Sequence, residues 1–571
     1  MEKNWIPAPT PEAIITHQLS EALNIEPVLS KLLAQRGIRT FEEARAFFRP
    51  DLEELHDPFL MRDMDRAVRR LEEALENGEK ILVYGDYDVD GTTAVTIMYS
   101  FLHDLGVACD YYIPDRYTEG YGFSMKGVDY AYETGCDLII TLDCGVRDGV
   151  KIDYAAGKGI DVIVCDHHQP AQIPNAAAVL DPKRPDCNYP FKGLCGAGVG
   201  FKLLQALCIQ KDLDRNKLFQ YLDLLTIAIA ADIVPVSGEN RILAYHGLKQ
   251  LQHTERPGIR AMLNNAGFKK DQLTITDVVF ILAPRINAAG RIFSGKKAVE
   301  LLLCQSAEDA APVAAAIEEY NTTRKTLDKG ITEEALQKVS DDDFYHSALS
   351  IVVAGENWHK GVVGIVAARL VETHYKPTIV LVSDGEKMAG SARSISGIDL
   401  FECLSECEDL LEQFGGHTMA AGLSLKAANF EQFRSRFDEV IRKKLNNIKP
   451  IPQLSYDAEI DFSEIGPKLM RILKQFEPFG PENMHPVFLS EKVENHRFTR
   501  TVGDQKNHLK LHVHQQHTPS LALDGIGFDL GHWEKHLLQQ LPVDLLFALD
   551  ENTWNNKTTI QLVVKDIRSA E

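Results

Sequence analysis

Three aspartates directly follow an apolar run in the stretch ILVYGDYDVDG, residues 81–91. The run has the character of an interior strand, and residues 92–105 have helical periodicity. Asp86, Asp88 and Asp90 therefore lie where a strand ends and a helix begins, which in an open α/β sheet is the crevice that binds ligands. Carboxylates spaced this closely repel one another unless protons or cations neutralise them. The pattern predicts a divalent metal site.

Polar residues also close three other apolar runs. Asp143 follows LIITL, Asp232 follows LLTIAIAA, and DVIVC is followed by Asp166, His167 and His168. One such residue is usually a cap or a loop residue, but four segments of this kind together predict a shared site. Oxygen ligands dominate the set and thiolates are missing from it, which favours Mn²⁺ or Mg²⁺.

The elements that position these residues alternate between strand and helix from residue 81 to about residue 165, which predicts βαβ units and a parallel sheet. A second α/β unit begins at residue 348, with the strand ALSIVVAG, the helix GVVGIVAARLVETH and the strand TIVLVS. After residue 451 the predicted strands are short, and they favour a small β-barrel of the OB type. These strands are LSYDAEIDF, HLKLHVH, LALDGIGF, VDLLFALDE and TTIQLVVKDI.

The chain is long enough for several domains, with 571 residues. A charged helical pattern over residues 307–339 predicts a connector helix between two of them. The expected regions are an N-terminal, mostly helical segment packing on the catalytic domain (1–78), the α/β catalytic domain that carries the predicted metal site (79–300), the connector helix (301–345), a second, smaller α/β domain (346–450) and the barrel (451–571).

Charge and cysteine content restrict the partners and the compartment. The formal net charge of −21 argues against a broad basic surface, so a polyanion must bind in a local basic groove. The ten cysteines are scattered without a CxxC pair, which favours free thiols in a reducing compartment. The N-terminal sequence lacks a signal pattern, and no apolar run reaches about 18 residues. We expect a cytoplasmic protein with no membrane partner.

Four of these segments resemble the motifs of the DHH phosphoesterases: GDYDVDG at residues 85–91, TLDCG at 141–145, CDHHQP at 165–170 and ADIVP at 231–235. Within that family the chain resembles the RecJ-type single-stranded-DNA exonucleases, through APRINAAGR at 283–291, GSARS at 390–394, FGGHTMAAG at 414–422 and FEPFGPENMHPVF at 476–488. The resemblance implies a parallel-sheet DHH catalytic domain, a DHH-associated domain and an OB-fold. It also implies 5′→3′ hydrolysis of single-stranded DNA to 5′-mononucleotides, in DNA repair and recombination.

Matched motif by motif, the resemblance implies two divalent metal ions, Mn²⁺ or Mg²⁺, with Asp143 bridging them and acting in catalysis. It places His168 beside the scissile phosphate as a second catalytic residue; the alternative is a histidine that only orients a ligand. Tyr84 stands where the family pattern often has histidine, so Asp86 is the substitute ligand. The implied ligands are Asp86, Asp88, Asp90, Asp143, His167 and Asp232.

Substrate contacts are expected from polar and aromatic side chains beside glycines, because glycine lets a backbone approach a phosphate closely. The candidates are Arg116, Tyr121, Arg285, Asn287, Arg291, His359, Ser391, Arg393 and His417. For the glycine-rich turn GLCGAGVG, residues 193–200, a structural role is favoured, namely close packing of a helix on the sheet. In the barrel, a histidine-rich and basic stretch between residues 496 and 514, with Phe498 and Trp554, favours DNA binding.

Two alternatives remain open. The first is a DHH-type phosphodiesterase acting on short oligonucleotides or cyclic dinucleotides, although such an enzyme would not need the long C-terminal barrel. The second is a catalytically silent DNA-binding subunit, which would have no reason to keep so many repelling carboxylates together. Besides single-stranded DNA, the resemblance implies a single-strand-binding protein and a helicase as partners.

Overall fold

The computed structural model describes residues 3–270, 272–554 and 557–570. The N-terminal region contains β1 (Asn4–Pro7), α1 (Ala13–Leu23), α2 (Pro27–Gln35), α3 (Phe41–Phe48) and α4 (Met64–Asn77). The next region contains β2 (Ile81–Gly85), α5 (Val89–Asp104), β3 (Cys109–Tyr112), α6 (Met125–Glu133), β4 (Leu138–Leu142), α7 (Gly149–Gly157), β5 (Asp161–Cys165), β6 (Ala178–Leu180), α8 (Gly196–Gln210), α9 (Asn216–Phe219), α10 (Leu222–Ala231), α11 (Gly238–Gln252), α12 (Pro257–Asn265), α13 (Ile275–Asp277), α14 (Ala283–Ile292) and α15 (Lys296–Leu303).

The rest of the chain forms a long helix, a second α/β unit and a barrel. The long helix and the α/β unit contain α16 (Ala307–Asp341), α17 (Phe344–Ser347), β7 (Ile351–Glu356), α18 (Val363–His374), β8 (Thr378–Ser383), β9 (Lys387–Arg393), α19 (Leu400–Ser405), β10 (Gln413–Gly416), β11 (Ala420–Lys426) and α20 (Phe430–Lys444). The C-terminal part contains β12 (Gln453–Tyr456), β13 (Ala458–Glu459), α21 (Pro467–Leu473), β14 (Phe488–Val502), β15 (His508–Gln515), β16 (Ala522–Gly527), α22 (Glu534–Leu538), β17 (Val543–Trp554) and β18 (Lys557–Ser569).

The first sheet has the strand order β3-β2-β4-β5-β6, and all of its pairings are parallel. Strands β2, β4 and β5 are almost entirely buried, because helices cover both faces of a parallel sheet. The register aligns the last residues of the central strands, with Gly85 opposite Leu142 and Leu142 opposite Cys165. The residues that follow these strands therefore meet at one edge. The predicted parallel α/β domain is confirmed.

The second α/β unit is a five-stranded sheet in the order β10-β11-β9-β8-β7. Only β7 and β8 are parallel; the remaining pairs are antiparallel, which the sequence pattern did not predict. The 35-residue helix α16 connects this unit to the first one. Among the described residues, no helix has both the length and the apolar character needed to cross a membrane.

The C-terminal unit is a closed barrel in which β14, β15, β16, β18 and β17 pair in succession and β17 pairs back with β14. This confirms the expected OB-type barrel. Its longest strand, β14, was not among the predicted strands, because its second half is polar and a bulge between Asn495 and Thr499 interrupts the alternation.

The N-terminal segment packs on two domains and not on the catalytic domain alone. Helices α1 to α3 share a hydrophobic core with the barrel, through residues such as Leu29, Leu33, Phe476 and Phe547, and Phe47 of α3 also contacts Arg241 of the catalytic domain. Strand β1 also pairs with β12, which leads into the barrel. Helix α4 and the preceding Met61 belong to the core of the parallel sheet, and Leu52, Leu55 and Phe59 pack against it. An amphipathic helix does not reveal from its own sequence which distant surface will cover its apolar face.

Candidate active site

The polar residues meet at the carboxyl edge of the parallel sheet. Asp86 follows β2, Asp143 follows β4, and His167 lies two residues beyond β5. Asp88 is the N-cap of α5, where its side chain accepts a hydrogen bond from the Gly91 N–H. Asp143 itself has a left-handed backbone with φ of 60°. For a non-glycine residue such a conformation is uncommon and is concentrated at functional sites.

The imidazole of His167 lies among three carboxylates. Its Nε2 atom is 3.2 Å from Asp143 Oδ1, 3.6 Å from Asp232 Oδ2 and 3.9 Å from Asp90 Oδ2. Burial lowers the pKa of His167 to about 3, so the ring is neutral and can act as a ligand. Side chains from α5 and from the ends of β4, β5 and α10 therefore meet at one point.

Three groups of side chains have ligand atoms that all lie within 4.8 Å of one another: Asp86, Asp88 and Asp143; Asp90, His167 and Asp232; and Asp143, His167 and His168. Asp143 and His167 each belong to two groups, so the groups form one connected centre. All six residues expected to bind metal lie in it.

Several carboxylate oxygens of this centre have no hydrogen-bond partner among the described residues. Within the described residues, neither carboxylate oxygen of Asp86 has a hydrogen-bond partner, and neither does Asp143 Oδ1. Burial, reinforced by neighbouring carboxylates, raises the pKa of both groups well above the ordinary value. The same causes raise the pKa of Asp90 to about 6 and that of Asp232 to about 9. Buried, unpaired and mutually repelling oxygens fit divalent cations.

The glycine-rich turn before α8 supports this centre, which the sequence did not reveal. The Gly196 and Ala197 N–H groups donate to the Asp90 carboxylate at 2.6 and 2.9 Å. A Cβ atom on Gly196 would lie 2.5 Å from the Cβ of Asp143, so only glycine fits there. The turn therefore holds a carboxylate of this chain at the positive end of a helix, in addition to packing that helix on the sheet.

His168 is held between two partners. Its Nδ1 atom is 2.8 Å from Asp166 Oδ1, and its Nε2 atom is 3.0 Å from the Tyr121 hydroxyl. Burial would lower the pKa of His168, but the hydrogen bond to Asp166 raises it above the ordinary value. Asp166 in turn accepts from the Val146 N–H at 2.9 Å. The ring is thus fixed at the edge of the centre, 4.0 Å from Asp143 Oδ1.

A cluster of arginines faces the acidic centre. Burial, together with the charges of Arg116 and Arg393, lowers the pKa of Arg291 to about 10. Arg291 donates to the carbonyl of Gly361 in the second α/β unit at 3.1 Å. A Cβ atom on Gly364, at the start of α18, would lie 2.8 Å from Arg393 Nη2 and 3.3 Å from Ser391 Oγ. We call Arg116, Arg291, Ser391 and Arg393 the basic rim.

Two histidines of the second α/β unit border the same cleft. The His359 ring lies edge-on to Tyr117 with centroids 6.0 Å apart, and burial and Arg116 lower its pKa. The His417 side chain is exposed at its surface but partly desolvated by its neighbours. This desolvation and the charges of Arg147 and His168 across the cleft lower its pKa. The structure thus brings both predicted histidines to the cleft.

The two remaining candidates lie on α14. Arg285 is mostly buried, and its guanidinium already donates to Glu318 of α16 at 2.6 Å and to the Ile281 carbonyl at 2.7 Å. Asn287 is half-buried, one helical turn before Arg291 and on the same face of the helix. Gly290 lets α14 approach closely, since a Cβ there would lie 2.5 Å from the Tyr87 carbonyl oxygen.

Sequence reasoning missed two residues beside the centre. Asp181 and Lys183 follow β6, the last strand of the parallel sheet. The Lys183 N–H donates to Asp181, and burial raises the pKa of Asp181 to about 7. The Lys183 charge lowers the pKa of Asp232. The rule that found the other aspartates, polar residues after an apolar run, applies to AVLDPK as well.

The barrel carries an aromatic and imidazole surface on β14 and β15. Phe498 stacks on His512 at 5.6 Å with an interplanar angle of 13°, and His496 lies 5.2 and 5.3 Å from His512 and His514. This is the histidine-rich stretch predicted to bind DNA. The side chain of Trp554 lies outside the described residues.

Three family models match the chain in the order of its domains. The model of the DHH family, N-terminal domain, matches residues 80–229, the DHHA1 domain model matches residues 346–443, and the RecJ OB domain model matches residues 456–566. The fold and the site thus define a protein of the DHH class.

The relatives that match this chain identify one family within the DHH class. The chain is 38% identical over 556 residues to the single-stranded-DNA-specific exonuclease RecJ of Bacillus subtilis, covering 97% of this chain and 69% of that protein. It is 32% identical to RecJ of Escherichia coli, covering 95% of this chain and 96% of that protein. The crystal structure of RecJ from Thermus thermophilus in complex with Mn²⁺ has a TM-score of 0.85 and 28% identity, covering 100% of this chain and 80% of that one. This chain belongs to the RecJ family.

Proposed function

We propose that this protein is a single-stranded-DNA-specific exonuclease that hydrolyses phosphodiester bonds from the 5′ end, uses two divalent metal ions and releases 5′-mononucleotides. The observation that carries the proposal is one connected centre, shared through Asp143 and His167, that faces a rim of desolvated arginines. The names of the relatives supply the substrate, single-stranded DNA.

Asp86, Asp88, Asp90, Asp143, His167 and Asp232 would hold Mn²⁺ or Mg²⁺. Their unpaired buried oxygens and the neutral His167 fit such ions, and a related structure is named as a Mn²⁺ complex. When bound, the two ions would supply Lewis-acid stabilisation of the scissile phosphate and of the attacking water.

The protein's own side chains orient the substrate. His168, fixed by Asp166, points its Nε2 atom at the Tyr121 hydroxyl, and a phosphate oxygen could take the place of that hydroxyl. The catalytic role of Asp143 is to join the two halves of the centre, since it belongs to two of the ligand groups. His359 and His417 would contact the strand from the second α/β unit.

The basic rim would grip a phosphate group of the strand. The charge of Arg116 helps to lower the pKa values of Arg291 and Arg393, so an anion among these arginines relieves a repulsion that the free protein carries. Ser391 and Asn287 add neutral hydrogen-bonding groups beside them. Arg291 donates to the Gly361 carbonyl, so the two α/β units are in contact beside the cleft. A cleft too narrow for a duplex would explain the selectivity for single strands that the names of the relatives give.

The regions 1–78, 79–300, 301–345, 346–450 and 451–571 remain our proposed domain boundaries, with the first one redefined by its packing on the barrel. The barrel would guide the strand with the surface formed by His496, Phe498, His512 and His514. A cytoplasmic location and the partners single-strand-binding protein and helicase stay predictions from the family.

A substrate comparison tests the function. We expect Mn²⁺-dependent release of mononucleotides from a long single strand, with a blunt duplex and a cyclic dinucleotide cut at least about 100-fold more slowly, a difference of about 2.7 kcal/mol in barrier height. Fast hydrolysis of the cyclic dinucleotide with no cleavage of the long strand would instead favour the small-substrate phosphodiesterase. Binding of the strand without hydrolysis of any substrate would favour the silent DNA-binding subunit.

A further inference from the structure

Three consecutive polar residues at the start of α11 are buried: Glu239 is 1% exposed, Asn240 0% and Arg241 4%. A buried polar group without a partner is costly, so each of the three must be matched by specific partners. Glu239 binds the Lys202 ammonium at 3.0 Å and the Tyr189 hydroxyl at 2.6 Å, inside the catalytic domain. The other two residues reach in opposite directions.

Asn240 joins two backbone segments. Its side-chain amide donates to the Gly193 carbonyl at 2.6 Å and to the Pro235 carbonyl at 2.9 Å. Gly193 lies three residues before Gly196 in the chain, and Pro235 lies three residues after Asp232. One amide therefore ties together the two loops on either side of the metal centre.

The first loop holds one member of a ligand group in place, and the second loop carries another member. The Gly196 N–H holds the Asp90 carboxylate, and the second loop begins with Asp232, which forms a ligand group with Asp90 and His167. The second loop also contains Ile233 with a left-handed φ of 57°. A loop in this conformation needs outside contacts to hold its shape.

Arg241 reaches toward the barrel. Its guanidinium lies 3.8 Å from the centroid of the Phe47 ring, and burial lowers its pKa to about 9. The segment that it binds leads from α21 into β14. The Arg241 guanidinium donates to four main-chain carbonyl oxygens of this segment and to one of α3, at 2.8 to 3.4 Å. The acceptors are Gln475, Phe476, Glu477 and Pro478, and Phe47 of α3.

The same barrel segment also contacts the Asp232 loop directly. The Val236 N–H donates to the Pro481 carbonyl at 2.7 Å, and the Ser237 hydroxyl donates to the Glu482 carboxylate at 2.6 Å. A Cβ atom on Gly480 would lie 2.3 Å from Val236 Cγ2, so the two segments are in close contact. The motif FEPFGPEN at residues 476–483 thus packs on the loop that follows a proposed metal ligand.

We propose that Asn240 and Arg241 form a positioning pair that couples the barrel to the metal centre. Asn240 sets the spacing between the Asp232 loop and the turn that holds Asp90, and Arg241 fixes α11 to the segment that enters the barrel. A strand bound on the barrel is thereby held at a defined position relative to the ligands. This inference rests on the proposed metal centre and adds the residues that set its geometry from outside.

The first test measures Mn²⁺ affinity by electron paramagnetic resonance, without substrate. Asn240→Ala should raise the dissociation constant about tenfold, as expected for a residue that orients ligands from behind. Asn240→Leu keeps most of the side-chain volume and should have the same effect, while Asn264→Ala, at an exposed position of α12, should have none. Circular dichroism melting checks that each variant is folded.

The second test asks whether the barrel contact acts through Asn240. Arg241→Lys, compared with the exposed control Arg260→Lys, should weaken Mn²⁺ binding about threefold in the parent and have no effect in the Asn240→Ala background, because coupled residues are not additive. Slower cutting of long strands with unchanged Mn²⁺ affinity would reduce Arg241 to a docking contact and overturn the coupling. Folded Asn240 variants with parental Mn²⁺ affinity would also overturn it, whereas a parent protein that binds no Mn²⁺ would overturn the proposed function itself.

Discussion

The two walls of the cleft carry opposite charges. On each wall, burying like charges close together costs free energy in the protein without bound ions or DNA. On the sheet edge, burial and mutual repulsion raise the pKa values of Asp86, Asp143 and Asp232. On the basic rim, burial and mutual repulsion lower the pKa values of Arg291 and Arg393. The acidic wall is stabilised by cations and the basic wall by an anion. A phosphodiester bound together with divalent ions satisfies both at once.

Substitutions on the two walls should therefore have different effects on the reaction. Removing a residue from the acidic wall removes the groups that hold the ions needed for the chemical step, whereas removing one from the basic wall weakens a grip that binding of the strand shares among several residues. The acidic wall should therefore control kcat and metal affinity, and the basic wall KM and salt dependence.

Asp143→Ala should have the largest effect. Because Asp143 belongs to two ligand groups, we expect its loss to reduce cleavage of single-stranded DNA by more than about 1000-fold, equivalent to about 4 kcal/mol. Binding of a labelled strand, measured by fluorescence anisotropy, should persist. Asp153→Ala, at an exposed position of α7, is the matched control. Near-normal cleavage by Asp143→Ala would contradict the role of the acidic wall.

Asp166→Asn should lower kcat by about 100-fold with little change in KM, since proton transfer or orientation by a positioned side chain contributes on this order. Asp166 fixes the Nδ1 side of His168, so its loss leaves the ring free to turn. Steady-state kinetics on a long strand measure both constants. A rise in KM alone would assign His168 to binding and separate it from catalysis.

Arg393→Met should weaken strand binding about tenfold and make the slope of log affinity against log salt shallower by about 0.7, the value expected for one lost phosphate contact on a single strand. Mn²⁺ affinity should not change, because Arg393 belongs to the opposite wall. Arg436→Met on α20, whose side chain is 40% exposed, is the control. An unchanged salt slope would remove Arg393 from the phosphate contacts.

Stabilisation by Mn²⁺ should grow with pH. The folded-state pKa values of about 6 for Asp90 and about 9 for Asp232 lie above those of unfolded aspartate, so the metal-free protein loses stability as pH rises through this range. Mn²⁺ needs the deprotonated carboxylates, and its stabilising effect on Tm should be larger at pH 8 than at pH 6. Calorimetry at both pH values measures this. A larger Tm shift at pH 6 would contradict it.

Arg285→Met should have the smallest effect on the reaction. Its guanidinium is bound to Glu318 of α16, so the change should lower the free energy of unfolding by about 1–3 kcal/mol and leave KM almost unchanged. Denaturant unfolding and kinetics separate the two outcomes. A KM increase comparable to that of Arg393→Met would assign Arg285 to the substrate-binding residues.

The site was largely predictable where one local rule governs it. Parallel strands end at a common edge, so Asp86, Asp143 and His167 could be brought together from their positions after apolar runs, and Lys183 could have been found in the same way. Contacts between distant segments were not predictable. The pairing of Arg285 with Glu318, the Gly196 N–H bond to Asp90, and the packing of α1 to α3 on the barrel all depend on which surfaces meet after folding.

The most direct test is digestion of a long single strand labelled at its 5′ end or at its 3′ end, with Mn²⁺ or with a chelator. The charged cleft and the family predict immediate, metal-dependent release of a labelled mononucleotide from the 5′ label and slow loss of the 3′ label. Immediate loss of the 3′ label would reverse the polarity. Failure to cut either strand, with rapid turnover of dinucleotides, would contradict the exonuclease and leave the barrel without a function.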